Sequence, residues 1–337
     1  MATRSRTLSR FALVGAWLVA VLAVLLATSC NRGDSGPAAS ITIGVPPLEQ
    51  NALLYVAEAE GLFARNGVKV TVKDYDTGVA TLNAISKGEV DIAESAEFPF
   101  INAVLAGSPV SALAVNDRMM NDYIIGRKDR GIREIADLKG KKIGLARGTV
   151  VEFYLARFLT LHGLGLQDVT LVNMAPTQFV DAIERGDVDA LAAWQPYVYQ
   201  AMQKNVGGLV DWSVQNEQPV YGLLVARNDW VAQHQATVER FLKSLADAES
   251  FIARNPEKAK TIAQRRLDYD SAYIDSIWPQ HHFSLSLDFS LVLALNDEAH
   301  WVIGNDPGTG KQAPDFLKFI HEDELKAVKP EAVNIIR

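Results

Sequence analysis

The stretch LNAISKGEVDIA (residues 82–93) recurs in the second half of the chain as VDAIERGDVDAL (residues 180–191). The two copies align without a gap, so that Gly88 pairs with Gly186, and an aspartate follows three residues later in both. A chain that repeats a segment at such a distance contains two copies of one supersecondary unit. We therefore expect two lobes that share the order of their strands and helices.

The segments that precede the two copies match as well. A short apolar run, residues 43–45 in the first half and 143–145 in the second, has the composition of a buried strand. A helical pattern, a glycine (Gly67 or Gly163) and a second strand pattern follow in both halves. Alternating strands and helices predict a mostly parallel sheet with helices on both faces, so the predicted fold is α/β with two such lobes.

The lobe boundaries are placed where the pattern changes. Lobe one takes residues 41–124 together with 225–337, and lobe two takes residues 125–224. The segments NDYIIGRKDRG (121–131) and PVYGLLVARNDW (219–230) are expected to cross between the lobes and to act as hinges.

Beyond Trp230 the pattern is mainly helical, and we expect these C-terminal helices to pack against lobe one and complete it. Pro256 stands where a first helical turn favours proline. Ser286 is predicted to be the N-cap of the last long helix.

Composition and charge exclude one class of partner. The chain has 337 residues, of which 48% are hydrophobic and 22% are charged, and its formal net charge is −7. A mildly acidic chain without a basic block lacks the electrostatic footprint of a nucleic-acid-binding protein. We expect a globular, monomeric protein that binds no nucleic acid.

The first thirty residues have the features of a secretory signal. An arginine-containing start is followed by an apolar run (residues 11–27) and by small residues that lead into Cys30, the single cysteine. This segment resembles a bacterial lipobox, with Ala27 in place of the usual leucine, and the resemblance implies that Cys30 is lipidated and becomes the mature N-terminus. Residues 31–40 have the composition of a flexible tether. An uncleaved membrane anchor is the alternative, and either one places the body outside the cytoplasmic membrane.

Several motifs together resemble one protein family. They are GLFARNGVKV (61–70), LNAISKGEVDIA, DLKGKKIGLARGT (137–149) and GDVDALAAWQPY (186–197). They are similar to motifs of the nitrate/sulfonate/taurine family of substrate-binding proteins, which also includes binders of thiamin pyrimidine precursors. The resemblance implies the type II periplasmic-binding-protein fold and a small ligand such as an alkanesulfonate, taurine or nitrate. It also implies a membrane permease with a cytoplasmic ATPase as the partner.

Ligands of open α/β sheets bind beyond the carboxyl ends of the strands, so the loops at those ends are the candidate site. The hinge segment that returns to lobe one adds one tyrosine. The predicted ligand-binding residues are Glu49, Gln50, Asn51, Ser95, Glu97, Asn116, Arg118, Arg147, Gly148, Thr149, Trp194, Gln195 and Tyr221.

The expected roles within this set differ. Thr149 offers a hydroxyl and a helix start, and Trp194 offers a rigid aromatic wall. Arg118 either contacts an oxoanion or forms a surface pair with an aspartate. Glu97 either points outward, pairs with Arg118 or Arg147, or receives an amino group from the ligand.

Other function classes find little support. The six histidines lack metal-ligand spacing, so no metal or cofactor is predicted. GNDPGTGK (304–311) has the wrong glycine spacing for a phosphate loop. The pyrimidine synthase of thiamin biosynthesis is similar overall, but its cysteine-rich motif is missing here, and we expect no enzyme activity. A thiamin-precursor binder and a ligand-sensing surface lipoprotein remain open.

Overall fold

A computed structural model of the chain describes residues 39–216, 218–305 and 312–336. The predicted signal segment and Cys30 lie outside these residues, as does the predicted tether up to residue 38. Ala39 and Ser40, which were assigned to the tether, belong instead to the first β-strand.

Within the described residues, the first sheet has six strands in the order β11–β4–β10–β3–β1–β2. Their bounds are Ala39–Val45 (β1), Val68–Asp74 (β2), Ile92–Ala96 (β3), Val110–Met119 (β4), Val220–Arg227 (β10) and His281–His282 (β11).

The second sheet has five strands in the order β7–β6–β8–β5–β9 across the part of the chain that the structure describes. Their bounds are Asp122–Arg127 (β5), Lys142–Leu145 (β6), Thr170–Asn173 (β7), Ala190–Trp194 (β8) and Leu209–Ser213 (β9). A small parallel pair joins Leu287–Asp288 (β12) to Val333–Asn334 (β13).

The two sheets repeat one topology, as the internal repeat predicts. Strand β1 lies parallel to β2 and β3, and β6 lies parallel to β7 and β8. The repeated aspartates act alike, because the carboxylate of Asp91 accepts the Thr42 N–H at 2.7 Å and that of Asp189 accepts the Lys142 N–H at 2.9 Å. The repeated glycine ends a helix in each half with a positive φ, +70° at Gly88 and +76° in the second copy.

Each sheet also contains antiparallel strands, so the sheets are mixed rather than uniformly parallel. Strand β5 pairs antiparallel with β8 and β9, and β10 pairs antiparallel with β3 and β4. Both strands enter from the opposite lobe. The chain leaves the first sheet after Met119 and enters the second at Asp122, and it returns between Ser213 and Val220. These crossings precede the expected boundaries at residues 125 and 225 by a few residues.

Helices cover both sheets. In lobe one they are Ala52–Ala59 (α1), Leu62–Arg65 (α2), Gly78–Ser86 (α3) and Glu97–Leu105 (α4). In lobe two they are Val150–Leu161 (α5), Phe179–Arg185 (α6) and Tyr197–Lys204 (α7). The C-terminal helices are Asn228–Arg254 (α8, kinked at His234), Pro256–Leu267 (α9), Ser271–Ile277 (α10), Phe289–Asn305 (α11) and Asp323–Val328 (α12).

The C-terminal helices complete lobe one, as expected. Helix α8 packs on α1, α2 and β2, and the start of α11 joins the core of lobe one through Leu291 and Leu295. The end of α11 reaches lobe two, where Trp301 packs against its core. The prediction for Ser286 is wrong, because α11 begins later and the Asp288 carboxylate accepts the first-turn N–H groups. No helix among the described residues is both long and apolar enough to span a bilayer.

Candidate functional site

A small cavity of about 60 Å³ lies at the carboxyl ends of the strands, with walls from both lobes. One water needs roughly 10–15 Å³ by the same measure, so the cavity admits a group of a few heavy atoms. We name it the small cavity. Its lining residues are Pro46, Leu48, Gln50, Asp76, Thr77, Gly78, Ala96, Pro99, Met119, Asn121, Asp122, Thr149, Val150, Trp194 and Val220.

Three helices begin at the small cavity. Thr77 precedes α3 and accepts the Ala80 N–H with its hydroxyl, Ala96 precedes α4, and Thr149 precedes α5. The first N–H groups of a helix have no partner within it, and its N-terminus carries partial positive charge. The small cavity therefore collects N–H donors and positive potential from both lobes, which is the environment that binds an anion.

Glycine is required where α3 begins. A Cβ atom on Gly78 would lie 2.6 Å from the Ser95 Oγ and 2.9 Å from the Ser95 Cα. Any larger residue would force the start of α3 away from strand β3. The glycine thus allows the N-termini of α3 and α4 to approach each other at the small cavity.

Two buried polar atoms at the small cavity have no hydrogen-bond partner among the described residues: the Trp194 Nε1 and one Asp122 carboxylate oxygen. Burial raises the pKa of Asp122 to about 7. The indole N–H is an available donor, and the carboxyl group changes charge near neutral pH. The Trp194 ring is held edge-on by Phe179 and Tyr197, with ring centroids 5.8 and 5.9 Å away.

No lysine or arginine lines the small cavity within the described part of the chain. Its ionisable lining groups are Asp76, which is exposed, and Asp122, which is buried. An anion bound here would be held by N–H dipoles rather than by a cationic side chain.

A buried polar layer supports the loop that follows β1. Gln50 lines the small cavity and donates through Nε2 to the Glu94 carboxylate at 2.7 and 2.9 Å, and Asn116 donates to the Gln50 carbonyl at 2.9 Å. Burial raises the pKa of Glu94 to about 8. Glu49 and Asn51 are occupied by other partners, because Glu49 accepts the Tyr273 hydroxyl and Asn51 donates to the Pro46 carbonyl. These side chains position Gln50 and do not line the cavity.

Glu97 neither points outward nor pairs with Arg118 or Arg147, and it does not line the small cavity. It is fully buried, accepts the Tyr221 N–H at 3.0 Å, and lies beside Glu298 of α11. Burial raises the pKa of both carboxyl groups, and the charge of Glu97 raises that of Glu298 further. The raised pKa values mean that the interior favours the protonated, uncharged form of both carboxyl groups.

The other predicted residues line the small cavity, bond to other side chains or the backbone, or line a neighbouring cavity. Thr149 and Trp194 line the small cavity. Arg118 instead pairs with Asp288 and Ser286, which is the surface-pair alternative. Ser95 bonds to its own strand, Gln195 accepts the Tyr199 N–H, and Tyr221 bonds to Ser290. Arg147 and Gly148 line a neighbouring cavity.

Comparison with known proteins identifies the family. The family model described as NMT1/THI5 like matches residues 49–259, which is more than half of the chain. The chain belongs to the NMT1/THI5-like family.

Two relatives of this NMT1/THI5-like protein carry different descriptions. The taurine-binding periplasmic protein of Escherichia coli (strain K12) is 29% identical over 206 residues, covering 60% of this chain and 63% of that protein. The 4-amino-5-hydroxymethyl-2-methylpyrimidine phosphate synthase of Aspergillus parasiticus is 26% identical over 223 residues, covering 65% of this chain and 62% of the enzyme.

A solved structure shares the fold. The alkanesulfonate-binding protein SsuA from Xanthomonas axonopodis pv. citri, bound to MOPS, superposes with a TM-score of 0.74 and 18% identity. The match covers 86% of this chain and all of that protein. The predicted two-lobed periplasmic-binding-protein fold is confirmed.

A second, large cavity of about 750 Å³ adjoins the small one in this NMT1/THI5-like protein. Its walls come from α3, α4, the start of α5, Leu166 and the end of α11. The residues that line it are Val79, Leu82, Asn83, Ser86, Phe98, Pro99, Asn102, Ala103, Ala106, Ser108, Arg147, Gly148, Glu152, Leu166, Trp301, Val302 and Asn305.

Two polar stretches of the small cavity were not among the residues predicted to bind the ligand. Asp76, Thr77 and Gly78 follow β2, a strand whose carboxyl end also faces the site, and the Asp-Thr-Gly start of a helical pattern was the available signal. Asp122 was predicted to be part of a hinge segment, and its sequence neighbours contain no pattern that predicts a cavity residue. Across the described residues, no three His, Cys, Asp or Glu side chains come together in a metal-holding arrangement.

Proposed function

We propose that this protein is the solute-binding component of an ABC importer and that it captures an organosulfonate by its head group in the small cavity. The observation that carries the proposal is the convergence of the N-termini of α3, α4 and α5 on a cavity of head-group size. The names of its relatives support the sulfonate class, because one is a taurine-binding protein and a protein of the same fold binds alkanesulfonates.

The head group would be held by donors from both lobes. Helix α3 supplies N–H groups from lobe one and α4 adds the positive end of its dipole, whereas α5 and the Trp194 indole supply donors from lobe two. Only the arrangement with both lobes together completes this set of donors. Ligand binding therefore shifts the population toward the closed arrangement, since differential contacts favour that state.

We also propose a transport partner and a location for the protein. The closed form delivers its ligand to a permease driven by a cytoplasmic ATPase. A lipid on Cys30 attaches the protein to the outer face of the cytoplasmic membrane, and the protein binds without catalysing a reaction.

Thermal unfolding of the full chain with candidate ligands tests the proposal. Methanesulfonate or taurine at a hundred times its dissociation constant is expected to stabilise the fold by about 2.7 kcal/mol, visible as a higher melting temperature. Nitrate and the aminopyrimidine precursor of thiamin are the comparison ligands. A rise with the aminopyrimidine alone, or no rise with either sulfonate, would refute the sulfonate assignment.

Asp122 is expected to give the two sulfonates opposite pH dependences. Because its pKa is raised to about 7, its carboxyl group is neutral at pH 6 and ionised at pH 8. The ionised form repels methanesulfonate and attracts the ammonium group of taurine. Between pH 6 and pH 8 we expect methanesulfonate affinity to fall and taurine affinity to rise, each at least about threefold, as measured by titration calorimetry.

Asp122→Asn should remove both slopes, because the side chain then carries no proton to lose. Asp211→Asn, on the exposed part of β9, is the matched control and should keep both slopes. Slopes of the same sign for the two ligands, or slopes that persist in Asp122→Asn, would show that another group controls the pH dependence.

A further inference from the structure

Helix α11 connects the two lobes at a place where the chain itself does not cross. Leu291 and Leu295 in its first half are buried in the core of lobe one, whereas Trp301 near its end packs against the core of lobe two. The chain crosses between the lobes at residues 119–122 and 213–220. Helix α11 therefore adds a noncovalent connection to these two crossings.

Trp301 packs against aromatic rings from both lobes. Its ring centroid lies 5.8 Å from that of Phe98 on α4 in lobe one and 5.7 Å from that of Phe153 on α5 in lobe two. The centroids of Phe98 and Phe153 are 6.2 Å apart. Aromatic pairs at such distances attract each other beyond the effect of the area that they bury. We name these three residues the aromatic clasp, and their contacts oppose separation of the lobes.

A polar contact between α11 and α5 lies one turn before the aromatic clasp. The Arg157 Nη1 is 3.3 Å from the Asp297 Oδ2, and Arg157 also donates to Gln218 on the segment that returns to lobe one. The Tyr154 hydroxyl lies 3.3 Å from the carbonyl oxygens of Gln218 and Pro219. Exposed ion pairs contribute little stability in water, so the aromatic clasp supplies most of this connection.

The middle of α11 is fixed in lobe one. Glu298 is fully buried beside Glu97 at the start of α4, and Ala299 belongs to the core of lobe one. Helix α11 is therefore expected to stay with lobe one when the lobes move apart. The contact that has to break in that movement is the one between Trp301 and Phe153.

We propose that α11 is a strap that favours the closed arrangement of the two lobes before a ligand binds, with the aromatic clasp as its contact. A contact that exists only in one arrangement shifts the population toward that arrangement. The apparent affinity for a ligand then increases with the fraction of molecules that are already closed. The strap goes beyond the proposed function, because it acts on the lobes and does not select a ligand.

Small-angle X-ray scattering of the full chain without ligand tests the strap directly. Trp301→Ala removes the ring that joins the lobes, and we expect a larger radius of gyration than in the unsubstituted chain. Trp212→Ala is the matched control, because Trp212 is a partly buried tryptophan that packs on the same core but belongs to lobe two itself. This control should leave the radius of gyration unchanged.

Titration calorimetry distinguishes a strap from a ligand contact. Trp301→Ala is expected to weaken the binding of methanesulfonate and of taurine by the same factor, at least about threefold, because fewer molecules are closed. Asp297→Arg places a like charge opposite Arg157 at an exposed position and leaves the core intact. It should weaken both ligands by a smaller common factor, which decreases in about 0.5 M salt.

Each outcome supports or overturns the strap. An unchanged radius of gyration in Trp301→Ala would overturn it, and so would a loss of affinity for one ligand alone, which would make Trp301 a ligand contact. Thermal unfolding shows whether each variant is folded, and if Trp301→Ala is not, an unchanged affinity in Asp297→Arg would overturn the strap instead. Failure of every sulfonate to bind would refute the proposed function, whereas the scattering comparison would still test the strap.

Discussion

Replacing Trp194 with alanine is expected to weaken sulfonate binding at least tenfold, which corresponds to about 1.4 kcal/mol. The substitution removes the aromatic wall and the unpartnered Nε1 donor of the small cavity at once. Titration calorimetry of the full chain with methanesulfonate measures the loss directly.

Two further variants distinguish the loss of the aromatic ring from the loss of the N–H donor and from a general effect of removing a tryptophan. Trp194→Phe keeps a ring and removes the N–H, so it should lose a smaller part of the affinity. Trp212→Ala removes a tryptophan from strand β9, which lines neither cavity, and should leave affinity unchanged. Unchanged binding in Trp194→Ala would place the ligand outside the small cavity.

The fold is expected to lose stability between pH 6 and pH 9. Burial raises the pKa of Glu94 to about 8 and that of Asp122 to about 7, while both groups titrate near pH 4 in the unfolded chain. The folded state then binds more protons than the unfolded state, so stability falls as pH rises through the folded-state values. Each group loses at most about 1.4 kcal/mol per pH unit, and we expect a total loss of at least about 2 kcal/mol.

Urea unfolding at the two pH values measures this loss. Glu94→Gln mimics the protonated acid beside Gln50 and should reduce the loss of stability, leaving the part that Asp122 contributes, whereas Glu58→Gln, at the exposed end of α1, should leave the loss unchanged. A stability that stays constant or increases from pH 6 to pH 9 would mean that these carboxyl groups are ionised in the fold.

The internal repeat carries most of what the sequence predicts about the fold. Gly88 and Asp91, with their counterparts in the second copy, have matched roles because each pair ends a helix and holds the strand beside it. The antiparallel strands β5 and β10 were not foreseen as such. Their pairing partners lie in distant parts of the chain, and local periodicity contains no information about them.

Residues of the candidate site can be predicted from the sequence where their position depends on the end of a strand. The prediction fails for residues whose position depends on a partner far away in the sequence. Gln50, Thr149 and Trp194 follow from their positions beyond strands and lie at the small cavity. Arg118 also follows a buried apolar run, but Asp288 from the C-terminal region binds it. Similarly, Glu97 has Glu298 as its neighbour, and no local sequence pattern predicts a carboxyl pair whose members are so far apart in the sequence.

The most direct test of the central claim is a crystal structure of the full chain with 2-bromoethanesulfonate, in which anomalous scattering locates the bromine. We expect sulfonate oxygens within about 3 Å of the Gly78 and Val150 backbone nitrogens and the Trp194 Nε1. We also expect the bromine to be directed toward the large cavity. A sulfonate that binds the protein but lies away from the starts of α3 and α5 would contradict the proposed site.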